Sequence, residues 1–156
     1  MFPLVIRRAV PGDAKTLTRI AQAAKAQWGY SPRQLEAWRS ELEVSAESLQ
    51  WAPSFVAEVD GAAAGFYQLR ADTDPPRLEH LWVDPVHMGV GLGSALVRHA
   101  QGLLADDGIA QLAIDADPNA EGFYLGLGAR RVGVVAAPLA GQPDRVRPQL
   151  LLDTFA

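Results

Sequence analysis

Residues 82–100, WVDPVHMGVGLGSALVRHA, constrain this chain more than any other segment. The apolar run Leu81-Trp82-Val83 ends at Asp84-Pro85. Glycines then occupy positions 89, 91 and 93, and a helical pattern follows at once. Glycine weakens strands and helices alike. Three of them where a strand gives way to a helix mean that something needs the backbone bare at that point.

The flanking segments read as alternating elements. LVIRRAV is a first strand, and PGDAKTLTRIAQAAKAQWG is a helix with Asp13 as N-cap. Leu17, Ile20, Ala21, Ala24 and Trp28 fall on one helical face, and Gly29 stops the helix. SPRQLEAWRSELE is a second helix, capped by Ser31 with Pro32 at its first position. Asp60-Gly61 between two apolar runs predicts a tight hairpin. RLEHLWVDP is a strand, residues 91–106 a helix, AQLAIDA a strand, PNAEGFYLGLG a short helix, and ARRVGVV and QLLLDTF two further strands. Adjacent strands predict antiparallel pairing in the first half, and strand-helix-strand units predict a parallel crossover in the second. The expected architecture is α/β, of the α+β type: one domain over residues 1–156, with a mixed, mostly antiparallel sheet of about seven strands and helices on both faces.

Composition narrows the function classes. With 156 residues, 49% hydrophobic and 21% charged, the chain is globular in character and long enough for a sizeable core. It has no cysteine, which excludes disulfides and thiolate metal sites and fits a reducing, cytoplasmic setting. MFPLVIRRAV carries no long apolar run ahead of its arginines, so no secretory leader is expected, and no segment approaches the length of a membrane span. A formal charge of -4 argues against nucleic acid as a partner and is compatible with a cationic small molecule. No pair of the histidines has metal-ligand spacing, so no metal is expected.

A helix start with bare backbone is suited to an anion, because the first N–H groups lack intrahelical acceptors and carry partial positive charge. A Walker A loop is excluded, since Ser94 rather than lysine follows Gly93. A dinucleotide fingerprint is excluded too: six-residue windows from Gly89 or Gly91 end on Ser94 or Leu96. PVHMGVGLGSALV instead resembles the acetyl-CoA pyrophosphate loop of the GNAT N-acetyltransferase superfamily, whose pattern Gln/Arg-x-x-Gly-x-Gly/Ala falls here on Met88-Gly89-Val90-Gly91-Leu92-Gly93. Met88 departs from that pattern and removes one polar side chain. Leu81-Trp82-Val83-Asp84-Pro85 resembles the family's preceding strand. The run from Asn119 through Phe123-Tyr124-Leu125-Gly126 to Ala129 resembles a later motif.

The resemblance implies the GNAT fold, with acetyl-CoA as cosubstrate and transfer of its acetyl group to a primary amine. It implies a pyrophosphate cradle at Met88, Gly89, Val90, Gly91, Leu92, Gly93 and Ser94. It also implies contacts of Leu81, Trp82 and Val83 backbone with pantetheine or the acetyl carbonyl, and further cofactor contacts at Asn119, Phe123 and Tyr124. Asn119 is equally suited to capping its own helix. Glu79 is the candidate general base and His80 its rival; on a strand the two point to opposite faces. Tyr124 is the candidate general acid toward the leaving thiolate, with packing on the cofactor or core as its other role. His99 is expected at the surface, and His87 as an ordinary loop side chain beside the cradle.

QWGYSPRQLEAW joins the early helices, and in the GNAT fold this connection borders the acceptor. Trp28, Tyr30 and Trp38 are candidates for an aromatic wall against an apolar or cationic group, and Glu79 for contact with the acceptor. Trp28 also ends the apolar stripe of its helix, which makes it a core residue in the plainer reading. The acceptor is a small-molecule or peptide amine, and a homodimer is compatible with the family. The competing function is an acyl-CoA-binding module of the same fold with little catalysis.

Overall fold

The computed structural model describes residues 4–156. Residues 1–3, the head of the segment in which no leader is expected, lie outside the described residues. The chain divides into two compact units, residues 1–70 with 79–99 and residues 71–78 with 100–156.

In the first unit, β1 (Leu4–Arg8), β2 (Ser54–Val59) and β3 (Ala62–Arg70) pair antiparallel in sequence order. The hairpin between β2 and β3 turns at Asp60 (φ 52°) and Gly61 (φ 80°), the doubly left-handed turn whose twist matches the strands it joins. A register shift after Ala57 places Ala57 opposite Gly65 and Glu58 opposite Ala63.

The first helix, α1 (Ala14–Ala26), is entered through a tight 3-10 turn over Pro11–Asp13. Asp13 holds the expected N-cap position of α1, but because Pro11 starts the helical backbone early it is already helical (φ -79°, ψ -12°) and makes no side-chain capping bond to that helix. Its carboxylate reaches back to accept the Val10 N–H at 2.8 Å and grips Arg7 with two bonds of 2.9 Å. The Arg7 guanidinium holds that carboxyl below its usual range, against the opposing effect of burial. Leu17, Ile20 and Ala21 of α1 pack with Val56, Phe66, Leu42, Val44 and Leu49. Each fully buried Leu or Ile contributes about 1.5–3 kcal/mol.

Two expectations for this region need correction. The apolar stripe of α1 stops at Ala24, the helix ends at Ala26, and Trp28 lies beyond it with 41% of its surface exposed. Gly29 (φ 80°) then turns the chain away. The second helix, α2 (Pro32–Ala37), is capped as expected, with Ser31 Oγ accepting the Gln34 N–H at 3.1 Å, but it ends well before the predicted limit. A one-turn helix that the sequence pattern does not announce, α3 (Ser48–Trp51), brings Leu49 into the core.

The strand β4 (Arg77–Val83) leads to α4 (Leu92–Asp106). Leu92 packs with Val59, Ala64 and Val83, on the sheet face opposite that of α1. Helices therefore cover both faces.

In the second unit, Arg77 and Leu78 at the start of β4 pair in parallel with Ala113 and Ile114 of β5 (Gln111–Asp115). After α5 (Glu121–Gly126) come β6 (Arg130–Ala136) and β7 (Val146–Asp153). Both β5 and β6 pair antiparallel with β7, so the strand order is β1-β2-β3-β4-β5-β7-β6. The seven-stranded mixed sheet matches the expected class. The β4–α4–β5 crossover yields adjacent parallel strands, whereas β5 and β6 are not neighbours because β7 inserts between them. Among the described residues no helix is long and apolar enough to cross a membrane.

Candidate functional site

Alternation along β4 sorts its side chains. Leu78 and His80 are buried and Glu79 is exposed. His80 and Trp82 share a face, and the indole Nε1–H of Trp82 donates to His80 Nδ1 at 3.0 Å. Indole nitrogen only donates, so Nδ1 must be the unprotonated nitrogen and the neutral ring carries its proton on Nε2. Burial lowers the His80 pKa from 6.5, with nearby Glu79 opposing the shift, and Phe66 packs beside the imidazole with ring centres 5.9 Å apart. His80 is thus a buried, neutral imidazole whose free lone pair is already engaged.

The end of β4 is fixed by Asp84. Its N–H donates to the Ala64 carbonyl at 2.8 Å. Its carboxylate, in a residue only 7% exposed, accepts the Val86 N–H at 3.3 Å and both terminal Arg19 nitrogens at 3.3 Å. Arg19 lies on α1, so this pair ties that helix to the start of the glycine turn. The His87 N–H donates to the Asp84 carbonyl at 2.8 Å, and the Met88 N–H donates to the Pro85 carbonyl at 3.3 Å. The Met88 N–H thus already has an acceptor within its own turn. His87 Nδ1 is buried without a hydrogen-bond partner among the described residues.

Gly89 (φ 81°) and Gly91 (φ 86°) occupy the left-handed region that disfavours every residue with a Cβ. A Cβ at either would meet no protein atom within 4 Å, so backbone conformation, not crowding by the chain, demands glycine there. The first bond of α4 runs from the Ala95 N–H to the Gly91 carbonyl at 3.1 Å. The N–H groups of Leu92, Gly93 and Ser94 precede it and have no acceptor within the helix. Gly93 is a residue of the helix itself, outside the left-handed pair. Bare left-handed backbone leading into these N–H groups suits an anion.

Gly65 of β3 is needed for a different reason. A Cβ there would lie 2.9 Å from the Trp82 carbonyl oxygen and 3.3 Å from Leu96 Cδ1 of α4. It permits close approach of the backbone that carries Leu81, Trp82 and Val83.

The connection after α1 forms an aromatic cage that the sequence reading only half anticipates. Tyr30 and Trp38 meet edge to face at 4.7 Å. Lys25 Nζ lies 4.5 Å from the centre of the Trp38 ring, 5.2 Å from that of Tyr30 and 5.9 Å from that of Trp82. Trp82 joins Tyr30 and Trp38 in the wall, and a lysine of the chain occupies it. No spacing rule could join Lys25 to Trp82, because the sheet brings them together.

His99, expected at the surface, is half-buried in α4. Its Nδ1 meets the Tyr67 hydroxyl at 2.7 Å, and the ring packs on Phe55. Its pKa is lowered by burial.

The second unit holds Asn119, Phe123 and Tyr124. The turn at Pro118–Ala120 is capped by Asp117, whose Oδ1 accepts the Asn119 N–H at 2.8 Å and the Asn119 Nδ2–H at 2.9 Å. Asn119 is therefore a donor to the cap and not the cap itself. Asp117 is also paired with buried Arg145 at 3.7 Å. Tyr124 on α5 is 7% exposed, and burial raises its phenol pKa, with Asp117 adding to the effect. The hydroxyl stays protonated through neutral pH. Phe123 is 39% exposed and touches Tyr124 edge to face at 5.1 Å. Among the described residues no group of three His, Asp or Glu side chains is arranged to hold a metal ion.

Residues 18–136 match the family model described as an acetyltransferase (GNAT) domain. A GCN5-related N-acetyltransferase structure from Rhodopseudomonas palustris superposes with a TM-score of 0.80 at 23% identity, covering 98% of each chain. The PaiA N-acetyltransferase of Thermoplasma acidophilum, solved in complex with coenzyme A, gives 0.75 at 18% identity over 97% of this chain and 99% of that one. The ribosomal-protein-S18-alanine N-acetyltransferase of Escherichia coli gives 0.74 at 21% identity over 97% and 94%. These likenesses show the fold. No curated protein matches the chain. The matched family model spans most of the sequence, and the chain belongs to the GNAT acetyltransferase family.

Proposed function

We propose that this chain transfers an acetyl group from acetyl-CoA to a primary amine by direct attack within a ternary complex. The observation that carries the reading is the left-handed backbone at Gly89 and Gly91, with open space where a Cβ would stand, immediately before the N-terminus of α4. The cradle comprises Gly89, Val90, Gly91, Leu92, Gly93 and Ser94, with Met88 contributing apolar surface. The Asp84–Arg19 pair fixes its start. Acetyl-CoA supplies an acetyl group activated as a thioester. Backbone of Leu81, Trp82 and Val83 lies along the pantetheine arm, and Asn119 and Phe123 contact the same cosubstrate.

A primary amine is mostly protonated at neutral pH and must lose a proton to attack. Glu79 takes it, directly or through water, because its carboxylate is exposed. His80 is the weaker candidate, since its unprotonated nitrogen already accepts from Trp82. The amine nitrogen bonds to the acetyl carbon as the C–S bond breaks, and the second proton the nitrogen sheds passes through water to the departing sulfur. Tyr124 donates a hydrogen bond to the departing sulfur. Its raised pKa makes complete proton transfer to a thiolate uphill, so it acts more as a donor than as a full acid. With no cysteine in the sequence, no cysteine carries the acetyl group in transit.

Deep burial of Tyr124 favours one competing reading, an acyl-CoA-binding domain with little turnover. Calorimetric titration with acetyl-CoA, CoA and ATP separates the possibilities when combined with thiol release. Micromolar binding of both CoA species, with amine-dependent thiol release, supports the transferase. Binding without release across a broad amine panel supports the binding domain. Binding of ATP alone would overturn both.

A further inference from the structure

We propose that Tyr30, Trp38 and Trp82 form an ammonium-binding subsite, with Lys25 as a resident plug that a cationic ligand displaces. Three rings surround one ammonium group at 4.5 to 5.9 Å, within cation–π range. Tyr30 and Trp38 brace each other edge to face, and Trp82 is anchored by its bond to His80. None of these contacts needs Lys25. The lysine is a flexible four-carbon arm near the C-terminal end of α1, and residues 26–29 immediately after it are exposed. Rings held by these contacts can keep the cage in shape when its occupant leaves.

The ligand class follows from the cage. Aromatic faces select a cation with little need for hydrogen bonds, so a substituted ammonium, which is weakly hydrated, outcompetes a primary one. Resting on the transferase reading, the caged group would be a second, non-reacting cation of the acceptor, because the attacking nitrogen must be neutral. By strand alternation Glu79 lies on the face of β4 opposite Trp82, which keeps the base away from the caged charge. The acceptor class is then an amine that also carries a permanent or second positive charge.

The test uses choline and its uncharged carbon isostere dimethylbutanol, titrated into the full chain without acetyl-CoA. Tryptophan fluorescence and the NMR signal of the Trp82 indole N–H report binding. Lys25→Ala should bind choline about tenfold or more tighter than the wild type, with the Trp82 signal shifting, and should bind the isostere at least tenfold more weakly than choline. Lys25→Gln provides the same comparison if the alanine variant is poorly folded by circular dichroism. Equal choline affinity in variant and wild type would overturn the plug. Equal binding of choline and isostere would reduce the cage to an apolar surface. Binding of glutarate by the wild type, lost on substitution, would make Lys25 an anion hook instead. These readouts are independent of acetyl transfer, so failure of thiol release with every amine would count against the transferase reading alone.

Discussion

The Trp82 indole donates to Nδ1 of His80 across two positions of one strand, at 3.0 Å. The bond fixes the imidazole tautomer, orients the indole toward Lys25 and occupies the lone pair His80 would need as a base. It also gives the protein a pH signature. The folded-state pKa of His80 lies below the unfolded value of 6.5, so the unfolded chain binds more protons as pH falls through that value. Stability from the neutral ring is complete above the unfolded pKa and is lost progressively below it. His99 acts in the same direction. The urea midpoint should fall between pH 7.5 and 5.5, and His80→Gln should reduce that fall. An undiminished fall in the variant would remove His80 as a source.

Two glycines on either side of the α4 start should respond oppositely to alanine. Gly91 is left-handed, so Gly91→Ala should cost about 1–2 kcal/mol of stability and weaken CoA binding. Gly102 lies inside α4, and a Cβ there would meet no atom within 4 Å. Gly102→Ala should therefore gain about 0.8–1 kcal/mol with CoA affinity unchanged. Thermal melts with and without CoA measure both effects.

Gly65→Ala forces a Cβ to within 2.9 Å of the Trp82 carbonyl oxygen. Neither backbone can move freely, so a loss of about 1–3 kcal/mol is expected, as for other overpacked sites. The strain falls on the stretch assigned to pantetheine, so affinity for CoA should drop as well. A melting point lowered with unchanged CoA affinity would separate this contact from the site.

Tyr124→Phe keeps the buried ring and deletes the hydroxyl. If the hydroxyl assists the leaving sulfur, kcat should fall by about 10² while KM for acetyl-CoA changes little. Steady-state kinetics with both substrates varied makes the distinction, and an unaltered kcat would assign Tyr124 to packing.

Where local chemistry decides the structure, the sequence was legible. Asp60-Gly61 announces its turn because few residue pairs accept two positive φ values, and Ser31-Pro32 announces a helix start for equally local reasons. The glycine run was readable as a bare strand-to-helix junction, though only Gly89 and Gly91 need the left-handed backbone. Asp13 stands at the predicted N-cap position, but its carboxylate turns back to Val10 because Pro11 moves the start of the helical backbone forward. Trp28 misled because a helical wheel continues past Ala26 whereas the helix does not. The insertion of β7 between β5 and β6, the Arg19–Asp84 pair and the Lys25 cage join residues far apart in sequence, and no local pattern encodes them. The resemblance to the GNAT motifs pointed to Glu79 and Tyr124 as candidates, whereas the state of His80 became readable only once its neighbours were placed.

The most direct measurement is thiol release from acetyl-CoA by the purified chain against a panel of mono- and diamines, run beside Glu79→Gln. Amine-dependent release by the wild type is expected, with acetylated amine formed in equal amount and a rate about 10² higher than that of the variant. Tight acetyl-CoA binding with no amine-dependent release from any member of the panel would contradict the account.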